Sequence, residues 1–311
     1  MSPTQQSEFA LPDLRGRSAL VTGASSGVGV EIARGLAAAG ADLILPVRNR
    51  EKGERALARI RAEAPHADLS LRDLDLARLD TTRALAEALL AARTPADLVV
   101  LNAGIVLLGD AERHLSADGF ELHFQTNFLG HFALTTALLP LLRERRARVV
   151  VQLSLAAGAS RLAWDDLQSE RRYAPLRAYG ASKVALGLFG YELARRSEAE
   201  GWGITVHLSH PGVVPDTGIA PAMRARDRGG MGRGLAERLG NTPARAAQPA
   251  LMAAVTDAAP PCFFGPSGAL HFGGPAARQR PYRRLMDPVA GARLWSVATQ
   301  LLGDRAGAVR T

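Results

Sequence analysis

The sequence predicts an α/β fold: a doubly wound, parallel sheet of about seven strands with helices on both faces. Three observations carry that reading. Short runs rich in Val, Leu and Ile alternate with longer Ala/Leu/Glu/Arg stretches of helical period, the order that repeated βαβ units produce. The central runs, such as Val149-Val150-Val151, are continuously apolar rather than alternating, as strands covered on both faces must be. A glycine-rich turn, Thr22-Gly23-Ala24-Ser25-Ser26-Gly27-Val28-Gly29, separates the first such run from the first helical stretch.

Strands are expected at 18–22, 42–47, 68–72, 97–102, 148–153 and 203–208, with a weaker one at 261–264. Helices are expected near 28–39, 51–63, 80–92, 117–142 and 178–200. The pattern loosens into Gly, Pro and Arg over 215–248 and 273–292. We read a single domain over 1–311, with a core at 15–215, a substrate lid at about 213–248 and a C-terminal appendage at about 265–311.

Composition narrows the class. Apolar residues make up 47% of the chain and charged residues 22%, enough for a buried core and inconsistent with disorder over most of its length. No apolar run approaches the ~20 residues that span a bilayer, and the N-terminus lacks the basic start and apolar stretch of a signal peptide. A cytoplasmic protein is therefore expected. Cys262 is the one cysteine, which excludes an internal disulfide and any cysteine metal cluster. The seven histidines show no metal spacing, so no metal is expected. The net charge of +8 is uneven: residues 1–220 hold 25 basic and 25 acidic side chains, whereas 221–311 hold 13 arginines and 5 acids. The arginines at 224–245 lack interleaved aromatics, those at 278–284 have Tyr282 alone among them, and neither stretch carries a groove-binding helix motif, so nucleic acid is not expected as a partner.

The glycine turn is the first functional signal. Glycines at 23, 27 and 29 let the backbone turn tightly, approach a pyrophosphate, and pack helix against strand. The helix start then offers free N–H groups and its positive dipole end to phosphates. Gly23, Ser25, Ser26, Gly27, Val28 and Gly29 are the expected dinucleotide cradle. The second strand ends in Val47-Arg48-Asn49-Arg50, with no acid placed to bind a ribose 2′-hydroxyl. A guanidinium at Arg48, beside Asn49, suits a 2′-phosphate, so NADP(H) is favoured over NAD(H). After the third strand, Asp75 and Leu76 are candidates for the adenine.

Tyr179 and Lys183 lie four apart in a helical stretch, hence on one helix face, and Lys183 is one of only two lysines among 36 arginines. A phenol with pKa ~10 is a poor proton donor at neutral pH, and a nearby ammonium lowers it. That pairing suits acid–base work.

With Thr22-Gly23-xxx-Gly27-x-Gly29, Asn102-Ala103-Gly104, Asn127, Ser154, Tyr179-xxx-Lys183 and His210-Pro211-Gly212 in this order, the chain resembles the short-chain dehydrogenase/reductase family over about 15–220. Within it, the chain is most similar to the retinol-dehydrogenase-like and protochlorophyllide-reductase-like group, through Asp118-Gly-Phe-Glu121, Thr126-Asn-Phe-Leu-Gly-His-Phe132, Asp166-Leu-Gln-Ser-Glu-Arg-Arg-Tyr173 and Arg293-Leu-Trp295. The resemblance implies a Rossmann-type sheet and hydride transfer between nicotinamide and a carbonyl or alcohol carbon of a small, possibly acidic, substrate. It implies that Tyr179 moves the proton, Lys183 lowers its pKa and bonds the nicotinamide ribose, Ser154 holds the reacting oxygen, and Asn127 anchors a water. It further implies that Asn102, Ala103 and Gly104 end the fourth strand at the adenosine side, and that Pro211, Gly212 and Val214 border the nicotinamide. A homodimer or a monomer is compatible with it.

The chain departs from the family pattern in places. Leu101 stands where Asn is common, Ser154 lies between two leucines and 25 residues before Tyr179, and Asp216 occupies the usual position of a threonine, with Thr217 next. Reduction of an activated C=C bond is an alternative within the group, and a non-catalytic dinucleotide sensor a further one. The pair Asp165-Asp166 reads as a helix start, and His131 as a locally bonded residue.

Overall fold

The computed structural model describes residues 9–215 and 240–308. Its strands are β1 Ser18–Val21, β2 Asp42–Val47, β3 Leu69–Asp73, β4 Leu98–Leu101, β5 Arg148–Gln152, β6 Thr205–Ser209, β7 Phe263–Pro266 and β8 Ala276–Gln279. They form one sheet in the order β3-β2-β1-β4-β5-β6-β7-β8, parallel throughout except for β8, which runs antiparallel to β7. The helices are α1 Gly27–Ala38, α2 Arg50–Glu63, α3 Leu79–Ala91, α4 Leu122–Phe124, α5 Gly130–Ala137, α6 Leu139–Glu144, α7 Ala156–Ala159, α8 Pro175–Ala199, α9 Pro243–Val255 and α10 Pro288–Ala308.

Period-two alternation sorts the strands into two cores. Leu20, Val99, Leu101, Val149 and Val151 face one layer with α3, α5, α8 and α10; Ala19, Val21, Leu98, Val100 and Val150 face the other with α1, α2 and α9. Both sides are dry, which explains the uninterrupted apolar runs. The strand order reverses between β1 and β4, and in doubly wound sheets the crevice at that switch point receives the ligand.

Four regions differ from the expectation. The helix predicted over 117–142 is interrupted: α4 passes into a π-turn at Gln125–Leu129, then into α5 and α6. Residues 243–248, assigned to a lid, belong to α9, whose start is set by Thr242 accepting from Arg245 N and by Pro243 at the first turn. Pro249 inside that helix masked its pattern, yet Ala246, Ala247, Ala250 and Ala253 bury one face against the sheet layer. The segment read as an appendage over 265–311 supplies β8 to the sheet edge and α10, whose Trp295 packs edge-on against Phe132 at 5.0 Å. Asp166, read with Asp165 as a helix start, instead accepts from Glu170 N at 2.7 Å within a turn. Among the described residues no helix is long and apolar enough to cross a membrane.

Candidate active site at the carboxyl end of the sheet

β1 ends at Val21 and is followed by Thr22, which is fully buried. Its hydroxyl accepts from Asn102 N and Ala103 N, both at 3.0 Å, and Asn102 Nδ2 donates to Thr22 O at 3.0 Å. The glycine turn and the Asn102-Ala103-Gly104 segment are thereby sewn together. Gly29 must lack a side chain, because a Cβ there would meet Gly23 O at 2.4 Å. Helix α1 starts from Ser26 with no side-chain cap, leaving its first N–H groups facing the crevice entrance, the setting that accepts a phosphate.

At the adenosine side the expected residues are surface groups. Arg48, Asn49 and Arg50 are all exposed. Asn49 caps α2 by accepting from Lys52 N at 2.8 Å, and Arg50 is drawn to Asp73 at 3.3 Å and Glu54 at 3.4 Å. Arg48 makes no ion pair or hydrogen bond among the described residues. Asp75 closes a local turn by accepting from Ala77 N at 3.0 Å, and Leu76 is buried. These residues lie outside the catalytic cavity, as do Ser25, Ser26 and Gly27.

The other side converges on a cavity of about 140 Å³. It is lined by Val28, Asn102 and Gly104, by Ser154, Tyr179 and Lys183, and by Pro211, Gly212 and Val214. Three residues outside the sequence expectation join them: Ile105, Gln152 and Leu153. Lys183 is buried, and its Nζ donates to Gln152 O at 3.1 Å. Burial without an anionic partner pulls the ammonium down to about 8. Burial pushes the Tyr179 phenol up, against a hydrogen bond with Ser154 that pulls it down. The Ser154 hydroxyl also accepts from Ala156 N at 3.2 Å, which fixes the turn that presents it.

Asn127 stands behind this cavity, fully buried in the π-turn. It reads both backbone groups of Ile105, accepting from its N–H at 2.8 Å and donating to its carbonyl at 3.0 Å. Nδ2 also donates to Ser182 Oγ at 2.9 Å, and Ser182 in turn donates to Tyr179 O at 2.7 Å. His123 performs a similar service one step along, accepting from Leu107 N at 3.0 Å and donating to Glu121 at 2.8 Å. The loop that forms the wall next to Tyr179 is therefore held from within the helix layer.

The loop 210–214 needs external support. Gly212 has φ +78°, and a Cβ would meet Phe272 O at 2.3 Å. Val213 N donates to that same carbonyl at 2.7 Å, and Asn241 N donates to Val213 O at 2.8 Å. The buried Asn241 side chain accepts from Gly274 N at 2.9 Å. Asn241 was invisible in the sequence, being one polar residue in a Gly/Pro/Arg tract; its place immediately before the Thr242 helix cap is the only local clue. Backbone acceptors such as Gln152 O carry no side-chain signal at all. Asp216, Thr217 and the arginines 224, 226 and 228 lie outside the described residues.

A dinucleotide fits this architecture. The unobstructed helix start, the close approach at Gly29 and a buried ammonium with one carbonyl partner suit phosphates at one end and a ribose diol at the other. Among the described residues no group of three His, Cys, Asp or Glu side chains could hold a metal ion.

Comparison with known proteins agrees with the geometry. The family model for short chain dehydrogenases matches residues 17–228. Retinol dehydrogenase 12 of Mus musculus is 41% identical over 200 residues, 64% of this chain and 62% of that protein, so the match spans less than two thirds of that relative. Retinol dehydrogenase 13 of Homo sapiens is 34% identical over 302 residues, covering 95% of this chain and 87% of the relative. Among solved structures, the Pseudomonas aeruginosa RhlG/NADP active-site complex superposes with a TM-score of 0.65 at 28% identity, covering 85% of this chain and all of that one.

Proposed function

Because the chain belongs to the short-chain dehydrogenase/reductase family and is an oxidoreductase of its retinol-dehydrogenase-like group, we propose that it interconverts a carbonyl and an alcohol with NADP(H). The observation that carries the reading is one cavity lined by the Tyr179 phenol, the Ser154 hydroxyl and the Lys183 ammonium, floored by Pro211 and Gly212.

When bound, the nicotinamide supplies or takes up the hydride. The protein's residues do the rest. Gly23, Gly27 and the first N–H groups of α1 bind the pyrophosphate, and the uncommitted Arg48 takes a 2′-phosphate. Lys183 Nζ donates to the nicotinamide ribose, replacing solvent that burial has removed. Ser154 donates to the substrate oxygen and orients it toward Tyr179. In reduction, Tyr179 gives its hydroxyl proton to that oxygen as negative charge develops on it. Its phenolate is then stabilised by the Lys183 ammonium, offsetting the burial that disfavours it in the free protein. Asn127 keeps Ile105 and, through Ser182, the Tyr179 backbone in place.

Reduction is the direction favoured by NADPH. The retinol named in the relatives makes primary allylic alcohols and their aldehydes the first compounds to assay, alongside ketones and enones. The test is turnover of that panel, followed at the nicotinamide absorbance. Tyr179→Phe is expected to cut kcat by about 10²–10⁴-fold while leaving NADPH binding near normal. Retained turnover removes Tyr179 from the proton transfer, and a preference for enones over ketones and aldehydes replaces the carbonyl reading with C=C reduction.

A further inference from the structure

His131 is fully buried one residue into α5, away from the cavity lining and without a role in the proton transfer described above. Its Nδ1 lies 3.1 Å from Asn127 O, and its Nε2 lies 3.0 Å from Thr22 Oγ1. A carbonyl can only accept, so Nδ1 carries the hydrogen. In a neutral ring Nε2 is then a lone-pair acceptor, and the Thr22 hydroxyl must donate to it. That direction agrees with the rest of the Thr22 shell, since its oxygen already accepts from Asn102 N and Ala103 N. The competing acceptor, Val100 O, is farther away at 3.3 Å. Burial and the nearby Lys183 charge both oppose a second ring proton, holding the imidazole down to about 3.

We propose that His131 is a positioning residue: a neutral Nδ1–H imidazole that couples the dinucleotide turn beginning at Thr22 to the Asn127 segment behind Tyr179 and Lys183. This rests on the functional reading above for the NADPH titration and for its kinetic consequence. Among the described residues, His131 is the side chain that touches both parts. Thr22 precedes the turn that receives the pyrophosphate and fixes the Asn102–Ala103 edge of the cavity. Asn127 fixes Ile105 on the opposite edge. A displaced ring releases both at once, so one substitution disturbs cofactor affinity and turnover together.

The test uses the full chain in two arms. ¹⁵N NMR of histidine-labelled protein should show a neutral ring protonated at Nδ1 that is lost in His131→Leu and shifted at Nε2 in Thr22→Val, responses that separate it from His123, whose Nδ1 also donates. Assignment of His131 as the Nε2–H tautomer, or as an imidazolium, overturns the proposal. NADPH titration forms the second arm. Loss of one buried hydrogen bond converts to about a tenfold weaker NADPH affinity in His131→Leu and in Thr22→Val, and coupling keeps the double variant near tenfold as well. An additive, roughly hundredfold loss in the double variant overturns the coupling. Where wild type turns over a carbonyl of the panel, His131→Leu should lower its kcat with that substrate's KM unchanged; a rise in KM alone contradicts the role. If His131→Leu does not fold, Thr22→Val with the ring left in place decides on the NMR and titration arms. Absence of carbonyl turnover in wild type counts against the functional reading and leaves both of those arms standing.

Discussion

The two ends of the site are built from different materials. Around the cavity, position is set by short hydrogen bonds in a dry interior: Asn127 to Ile105, Lys183 to Gln152 O, Asn241 to Gly274. At the adenosine side it is set by exposed side chains, Arg48, Asn49 and Arg50, of which Asn49 and Arg50 already serve local contacts. Buried polar groups that lose a partner pay full desolvation, whereas exposed charges are screened by water and salt. On the proposed function, the chemistry is thus held by a network that tolerates few changes, and the choice between NADP(H) and NAD(H) by a charge that can be altered cheaply.

The widest separation between the ends should come from acid. His131, His207 and His210 are buried and held by desolvation down to about 3, 4 and 4. An unfolded chain protonates each near 6.5, so between about 4 and 6.5 it binds more protons than the folded one. Stability is fully present above 6.5 and is lost as pH falls through this window, by up to roughly 2 kcal/mol per histidine between pH 7 and 5. Urea midpoints at pH 7 and 5 measure the drop, and a flat profile refutes it. Next in size is Asn127→Leu, which strands both backbone groups of Ile105 and should cost roughly 3 kcal/mol with loss of turnover. A denaturation midpoint like that of wild type would show that water replaces the amide. Gly212→Ala, forced to hold a positive φ against Phe272 O, should cost about 1–3 kcal/mol. Its NADPH affinity should fall with it, as a fluorescence titration can report. The smallest effect belongs to the exposed end. Arg48→Ala should weaken NADPH about tenfold at low salt, leave NADH unchanged, and lose that difference as salt rises. Equal changes for both cofactors assign Arg48 no role in the 2′-phosphate.

What the sequence revealed follows the same division. The strands showed because two-sided burial demands apolar runs, and the predicted 42–47 coincides with β2 Asp42–Val47. Tyr179, Lys183 and the glycine turn showed because their chemistry depends on side-chain identity and fixed spacing. The π-turn at Gln125–Leu129 left no trace, since its composition is that of an ordinary helix. Helix α9 was obscured by Pro249, which a helix lying against a packed layer tolerates. Strand β8, half-covered at the edge and containing Arg278 and Gln279, has neither an apolar run nor clean alternation. The basic excess of residues 221–311 falls on both sides of the boundary between described and undescribed chain.

The bond from Asn241 N to Val213 O, with Gly212 pinned beside it, has a consequence for engineering. Val214 is part of the cavity lining and Asn241 is bonded back to Val213, so the two ends of the interval share a single anchorage. With the two ends fixed to each other, the entropic cost of a connection between them grows only logarithmically with its length. Exchanging that interval for one of another length should therefore leave the stability of the sheet and the affinity for the dinucleotide near their starting values.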